Sequence, residues 1–144
     1  AKHVHTDAYE KHGKKGFLFT IGDSDCHPDL TGINIRKIFD DQSYTIRSTK
    51  LAEMASEKFE LFHIHITGLF PKEPPQLHKC LPGRILCIPK SAVHVIPELI
   101  ITVMQLTNGE EEEKVIAQWP ELVQPIVRNA VKDLVIKKKK GLFF

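Results

Sequence analysis

Acidic side chains cluster directly after a short apolar run near the start of the chain. Asp23, Asp25 and Asp29 follow the run Phe-Leu-Phe-Thr-Ile at 17–21. Carboxylate oxygens are hard ligands that suit Mg²⁺, and ligands of open α/β sheets bind beyond the carboxyl ends of the strands. The same residue types also form turns with their side chains in water, and Asp29 would then help to start a short helix. We therefore take Asp23 and Asp25 as candidate metal ligands, with a structural turn as the alternative.

His63 and His65 form a second candidate site. Because side chains alternate along a strand, both imidazoles should lie on one face, opposite Ile64. Two imidazoles on one face are able to bind a metal or to act in acid–base catalysis. Ordinary packing against a neighbouring helix is the structural alternative. The tripeptide His-Ile-Thr at 65–67 also fits the motif of two-histidine phosphoesterases, but those enzymes need two such tripeptides and the sequence has one.

One hypothesis for the function is a small metal-dependent hydrolase or phosphoesterase that uses Asp23, Asp25, His63 and His65. The run Gly-Asp-Ser at 22–24, with Asp29 after it, is similar to the last acidic motif of haloacid dehalogenase-type phosphatases. Those enzymes also need a nucleophilic Asp at the end of an earlier strand. The residues before position 17 contain a single Asp, Asp7, in a helical context, which disfavours a phosphatase of this type.

The residue composition bounds the class of protein. Of 144 residues, 42% are hydrophobic and 26% are charged, as in globular domains. The formal net charge of +2 gives no reason to expect nucleic acid or an anionic membrane as a partner. No apolar run reaches the roughly 18 residues of a membrane-spanning helix. The cysteines, Cys26, Cys80 and Cys87, have no Cys-x-x-Cys spacing and suit a reducing compartment, so we expect a cytoplasmic protein.

Short apolar runs alternate with segments of helical periodicity along the chain. The runs, each bounded by turn residues, predict strands at 17–21, 61–66 and 84–88. The helical spacing of apolar residues predicts helices over 51–59, 91–107 and 122–134. Strands that alternate with helices form parallel βαβ units, so we expect an α/β fold with a Rossmann-like parallel sheet in a three-layer α/β/α arrangement. Three strands make a thin sheet, and its exposed edge should pair with another chain.

Polar residues and prolines mark the predicted helix ends. Ser48 or Thr49 is a candidate cap for the helix over 51–59, and Ser91 for the next one. Pro97 lies beyond the first turn after Ser91, so we expect a later start or a kink. The residues before Gly13 have the pattern of a helix end.

The beginning of the chain resembles the middle of bacterial and phage von Willebrand factor A-like proteins. Glu-Lys-His-Gly-Lys-Lys-Gly at 10–16 is similar to a helix end of that family, and Phe-Leu-Phe-Thr-Ile-Gly-Asp at 17–23 to the strand that follows it. The similarity continues in order and spacing through 35–40, 62–66 and 81–88, and ends near residue 108. The chain therefore resembles the C-terminal half of a von Willebrand A-like domain, of the type associated with MoxR ATPases.

The fold of that family is a Rossmann-like sheet wrapped by helices, and its metal-ion-dependent adhesion site takes ligands from three loops. The resemblance implies that Asp23 is the one matched ligand, because the family's Asp-x-Ser-x-Ser element has no counterpart here. A Mg²⁺ ion held by a single carboxylate keeps most of its water. We therefore expect Mg²⁺ to bind weakly, or only on assembly with a chain that supplies the other ligands.

The resemblance implies a protein-interaction module and not an enzyme, namely an adaptor or assembly subunit with an incomplete adhesion site. It divides the chain into a half-domain at 1–108 and a helical extension with a basic tail at 109–144. The expected partners are proteins: an AAA-type ATPase, a chain that supplies the missing half-domain, or a second copy. Nucleic acid and membranes are not expected partners.

Overall fold

The computed structural model describes residues 5–39, 44–68 and 74–136. The strands are β1 Gly16–Gly22, β2 Asp29–Leu30, β3 Ile46–Arg47, β4 Phe59–Thr67 and β5 Ile85–Pro89. The helices are α1 Asp7–His12, α2 Gly32–Phe39, α3 Ser48–Lys58, α4 Pro75–Cys80, α5 Ile96–Thr107, α6 Glu112–Ala117 and α7 Gln124–Val131. A 3₁₀ helix, Lys90–Val95, leads into α5. The basic tail at 137–144, and residues 1–4 and Asp40 of the family-like segments, lie outside the described residues.

The main sheet is parallel, and its strand order is β1-β4-β5. Phe19 of β1 pairs with Phe62 of β4, and Ile64 of β4 pairs with Leu86 of β5. The three strands lie close to the predicted apolar runs, and the crossovers between them contain helices. The prediction of an α/β fold with a parallel sheet is confirmed, and the arrangement is compatible with a Rossmann-like fold.

Helices flank the sheet on both faces, because side chains alternate along the central strand. On one face, Phe62, Ile64 and Leu86 pack with α5, α6 and α7 into the main hydrophobic core. On the other face, Leu61 and Ile85 pack with residues of α3 and α4 in a smaller cluster. Each face therefore has its own apolar cluster, separated by the sheet.

Residues 109–136, expected as a helical extension, pack into the main core. Ile116 of α6 and Val127 of α7 are fully buried there, with 0% exposure. Trp119, between these helices, donates its indole N–H to Thr102 Oγ1 of α5 at 2.9 Å. The described part of the segment thus shares its hydrophobic core with the sheet.

The segment after α7 also contacts the turn that leads into β5. The Val135 N–H donates to the Gly83 carbonyl at 2.8 Å. Gly83 has a φ of +68°, and a Cβ atom there would lie 2.6 Å from Val135 Cγ2. Position 83 therefore requires glycine for its backbone conformation and for the space it leaves.

The start of α3 differs from the sequence prediction. Arg47 is the N-cap residue, and its side chain forms no capping hydrogen bond. Ser48, a predicted cap, donates its hydroxyl to the His27 carbonyl in the loop after β1. The prediction of Ser48 or Thr49 as the cap is wrong, because both residues lie within α3, after its N-cap residue.

The start of α5 is later than Ser91. Residues from Lys90 to Val95 form the 3₁₀ helix, and α5 begins at Ile96 with Pro97 in its first turn. Proline fits the first turn because the N–H it lacks has no helical partner there. The cap assigned to Ser91 is wrong, whereas the later start expected from Pro97 is confirmed.

A small antiparallel ribbon lies between β1 and α3. Asp29 and Leu30 of β2 pair with Arg47 and Ile46 of β3. The prediction that Asp29 helps to start a helix is wrong, because α2 begins at Gly32, after this ribbon. Two-residue strands leave no periodic signal in a sequence, so the ribbon is not predictable from apolar spacing.

Candidate functional site

Asp25 fixes the loop after β1 to the start of α4. Its Oδ1 accepts the backbone N–H groups of Leu77 at 2.8 Å and Cys26 at 2.9 Å, and its Oδ2 accepts that of Gln76 at 2.9 Å. Gln76 and Leu77 lie in the first turn of α4, where N–H groups have no partner within the helix. Asp25 is therefore a helix cap supplied from a distant loop.

These hydrogen bonds also set the charge of Asp25. Partial burial raises the pKa of the carboxyl group, but the three backbone N–H groups lower it by more, and His65 acts in the same direction as they do. The pKa of Asp25 consequently lies below its ordinary value of 3.8. The carboxylate is ionised at neutral pH, and both of its oxygens are engaged by the fold.

Asp23, the other predicted metal ligand, has different surroundings. Its Oδ1 accepts the hydroxyl of Ser24 at 3.2 Å. Across residues 5–39, 44–68 and 74–136, no group of three or more His, Cys, Asp or Glu side chains is placed to hold a metal ion. Mg²⁺ requires about six oxygen ligands, so the described residues do not form a complete magnesium site around Asp23 and Asp25.

His63 and His65 lie on one face of β4, as the alternation predicts, and that face packs against α3 and α4. They are 5% and 3% exposed, and their ring centroids are 5.9 Å apart. The Thr20 hydroxyl of β1 lies 2.8 Å from His63 Nδ1. His63 Nε2 and His65 Nδ1 are buried without a hydrogen-bond partner in the described part of the chain.

The surroundings of His63 favour its neutral form. Burial lowers the pKa of its imidazole, the neighbouring His65 lowers it further, and Asp25 acts in the opposite direction. The net pKa lies below the ordinary 6.5, so His63 is neutral at pH 7. A neutral imidazole that is closed off from solvent matches a packed interior position more closely than a general acid or base, which must reach its substrate.

Two cysteines meet beside the same loop. Cys26 Sγ and Cys80 Sγ are 3.8 Å apart, and both residues are free thiols. Burial, with the nearby Cys80 thiol, raises the pKa of Cys26 to about 11, so this thiol stays protonated at neutral pH. The sequence gives no sign of the pair, because 54 positions separate its members.

Strand β1 is paired on one side only. Its whole length, from Gly16 to Gly22, pairs with β4, and within the described residues no strand pairs with its other side. Leu18 is 37% exposed and Ile21 is 49% exposed. An open edge with apolar side chains is a template for another strand. The sequence predicts an exposed edge, and β1 is an outer strand of the sheet with exposed apolar side chains.

The direction of the hydrogen bonds of β4 determines which backbone groups of β1 are free. The His63 N–H donates to the Arg84 carbonyl, on the β5 side, at 3.0 Å. Backbone groups of successive residues point to opposite sides of a strand, so Phe62 and Ile64 bond to β1.

The register then assigns each residue of β1 to one side. Phe62 stands beside Phe19, and in a parallel pair it bonds to the residues before and after that partner, Leu18 and Thr20. Thr20 Oγ1 lies 3.4 Å from the Phe62 carbonyl oxygen, in agreement with this assignment. The residues whose N–H and C=O groups face the open edge are therefore Phe17, Phe19 and Ile21.

Comparison of the chain with known protein families, with characterised proteins and with solved structures finds no match. Among the helices of the described residues, none combines the length and the apolar character that a membrane span requires. The candidate sites are therefore interpreted from their own geometry.

Proposed function

We propose that the chain is a non-catalytic protein-interaction module that binds polypeptide by strand addition at the open edge of β1. The supporting observation is the combination of outward-facing backbone groups at Phe17, Phe19 and Ile21 with exposed apolar side chains at Leu18 and Ile21. In strand addition, main-chain hydrogen bonds supply affinity and alternate side chains supply specificity. The edge of β1 offers both.

The groups that a hydrolase would use support binding over catalysis. Both oxygens of Asp25 accept backbone N–H groups of α4 or its own loop. His63 and His65 are almost completely buried. In this proposal the side chains after β1 and along β4 hold the loop and α4 in place, and they do not contact a substrate.

We further propose that the module is of the von Willebrand A type and corresponds to the C-terminal half of such a domain. The strand motif at 17–23 and the order of strands and helices support this assignment. Asp23 would then be the remaining ligand of an adhesion site, with Mg²⁺ bound weakly or only where a partner adds oxygen ligands. The partner would be an AAA-type ATPase or a chain with the missing half-domain. The free thiols suit the cytoplasm.

A peptide library tests strand addition directly. Random peptides displayed on phage are selected against the whole chain, and the selected peptides are synthesised and their affinity measured. We expect peptides in which apolar residues alternate, because only alternate side chains contact the protein. The variant Ile21→Lys should abolish their binding, because lysine on an edge strand opposes pairing.

Ile101→Lys is the matched control. Ile101 is 45% exposed, close to the 49% of Ile21, but it belongs to helix α5 and not to the edge strand. Binding of the selected peptides should survive this change. A library that yields no binders, or binders equally sensitive to both variants, would contradict the proposed function.

A further inference from the structure

We infer that the partner at this edge is a second copy of the chain, whose β1 pairs antiparallel with the first about a two-fold axis at Phe19. The inference rests on the proposed function and names the occupant of the edge. A two-fold contact presents the same patch on both sides, so the patch must be complementary to itself. The edge of β1 meets this condition in its hydrogen bonds, its apolar side chains and its charges.

The hydrogen bonds match because each residue of β1 with backbone groups at the open edge stands opposite a residue of the same kind in the second copy. With the axis at Phe19, this residue stands opposite Phe19 of the second copy, and Phe17 stands opposite Ile21 of the second copy. All three have their N–H and C=O groups at the open edge. Directly opposed residues of this kind exchange two hydrogen bonds in an antiparallel pair. The two sheets would then continue as one.

The apolar side chains match because the two-fold axis places the main-core faces of the two sheets on the same side of the joined sheet. Phe17 and Phe19 pack against the main core, and the Phe19 ring stacks with that of Phe62 at 5.5 Å between centroids. Ile21 follows them on that face by alternation. Its 49% exposed side chain would contact Phe17 of the second copy. On the other face, Leu18 would contact Thr20 of the second copy.

The charges at the ends of β1 select the antiparallel direction. Lys15, whose Nζ donates to the Ser56 carbonyl of α3, immediately precedes β1, and Asp23 immediately follows it. In the two-fold pairing Lys15 stands opposite Asp23 of the second copy, and the same pair occurs again on the other side of the axis. Parallel pairing in register would place lysine opposite lysine and aspartate opposite aspartate. Opposite charges across strands are favourable, and like charges are unfavourable.

Charge exchange in the full chain tests this register by sedimentation equilibrium. The wild-type chain should show a reversible equilibrium between monomer and dimer. Lys15→Asp alone, or Asp23→Lys alone, creates like-charge pairs on both sides of the axis. Each should raise the dimer Kd about tenfold, which is the expected order for two exposed charge pairs lost and replaced by repulsion.

An equimolar mixture of the two single variants is the decisive test of the register. In a mixed dimer, one chain has acidic residues at both positions and the other has lysines at both, so each cross-strand pair is again of opposite charge. We expect the mixture to form a heterodimer with a Kd near that of the wild type. Lys14→Asp is the control, because position 14 would stand opposite the neutral Ser24, and it should change Kd by much less.

Three results would overturn the inference: a wild-type chain that stays monomeric up to its solubility limit, a dimer that neither single variant weakens, or single variants that do not recover when mixed. A monomeric chain that still selects alternating peptides, with loss of binding in Ile21→Lys, would leave the proposed function standing. Loss of peptide selection together with an intact, charge-sensitive dimer would instead restrict the edge to self-association.

Discussion

The two outer strands of the sheet, β5 and β1, differ in what covers them. Each pairs only with β4 in the described structure. In β5, Ile85, Leu86 and Ile88 are 7%, 0% and 1% exposed, because Leu86 and Ile88 lie in the main core and Ile85 packs with Leu77 and Leu81 on the other face. In β1, Leu18 and Ile21 are 37% and 49% exposed. The chain thus covers the side chains of β5 with its own residues, which makes this the closed side of the sheet, whereas apolar side chains of β1 stay exposed at the open side.

The comparison predicts that truncating an isoleucine lowers the free energy of unfolding by different amounts in the covered core and at the open edge. Ile116 of α6 is part of the main core. Ile116→Ala should lower the free energy of unfolding by about 2–5 kcal/mol, because it leaves a cavity at a fully buried site. Ile21→Ala should lower it by at most about 0.5 kcal/mol in dilute monomer. Urea denaturation at low protein concentration measures both. Equal effects would remove the distinction between a closed and an open side.

The contact between Gly83 and Val135 tests whether the C-terminal segment closes the β5 side. Gly83→Ala should destabilise the fold by about 2–3 kcal/mol, because it adds a clash with Val135 to an unfavourable backbone conformation. Gly109→Ala is the matched variant: φ is +96° there, but nothing lies within 4 Å of its Cβ position. Its cost should be about 1 kcal/mol, from backbone strain alone. A Gly83 variant no less stable than the Gly109 variant would show that the segment is loosely attached.

The stability that the loop after β1 contributes should depend on the side chain of Asp25 and not on that of Asp23. Asp25→Ala removes the cap of α4 and should cost about 1 kcal/mol of unfolding free energy, whereas Asp23→Ala should cost less than about 0.5 kcal/mol. The pKa of Asp25 is lowered in the fold, so its contribution is complete above the unfolded value of 3.8 and disappears as the pH falls through the lower folded value. Acid titration of stability should therefore lose part of its slope below pH 3.8 in Asp25→Ala.

The lowered pKa of His63 predicts a smaller effect on stability, confined to mildly acidic pH. Its pKa is lowered in the fold, so the unfolded chain binds a proton more readily than the folded chain. The fold keeps its full stability above pH 6.5 and loses part of it as the pH falls below that value. His63→Gln should flatten this dependence, whatever its effect at pH 7.

Local patterns in the sequence predict the elements of the fold well. The strands at 61–66 and 84–88 are visible as apolar runs because parallel strands are buried on both faces. The apolar run at 17–21 also predicts a strand, although Leu18 and Ile21 remain exposed there. The shared face of His63 and His65 follows from alternation alone. Pro97 predicts the delayed start of α5 from the hydrogen bond that proline cannot donate.

Features that depend on distant contacts are not predictable in this way. The role of Asp25 as a cap of α4 joins positions 51 and 52 residues apart, and the Cys26–Cys80 contact joins positions 54 apart. Neither pair leaves a local pattern. The sequence suggests Asp23 and Asp25 as one ligand pair, whereas the structure gives Asp25 hydrogen bonds that Asp23 does not share. The identity of the open strand likewise requires the strand order of the sheet.

Amide hydrogen exchange, followed residue by residue by NMR as protein concentration is raised, tests the central claim that the outer edge of β1 is a binding element. At low concentration, the amides of Leu18 and Thr20, which bond to β4, should be protected, and those of Phe19 and Ile21 should exchange rapidly. As the concentration rises, or as a selected peptide is added, Phe19 and Ile21 should become protected while Leu18 and Thr20 change little. Rapid exchange at Phe19 and Ile21 under every one of these conditions would contradict the account.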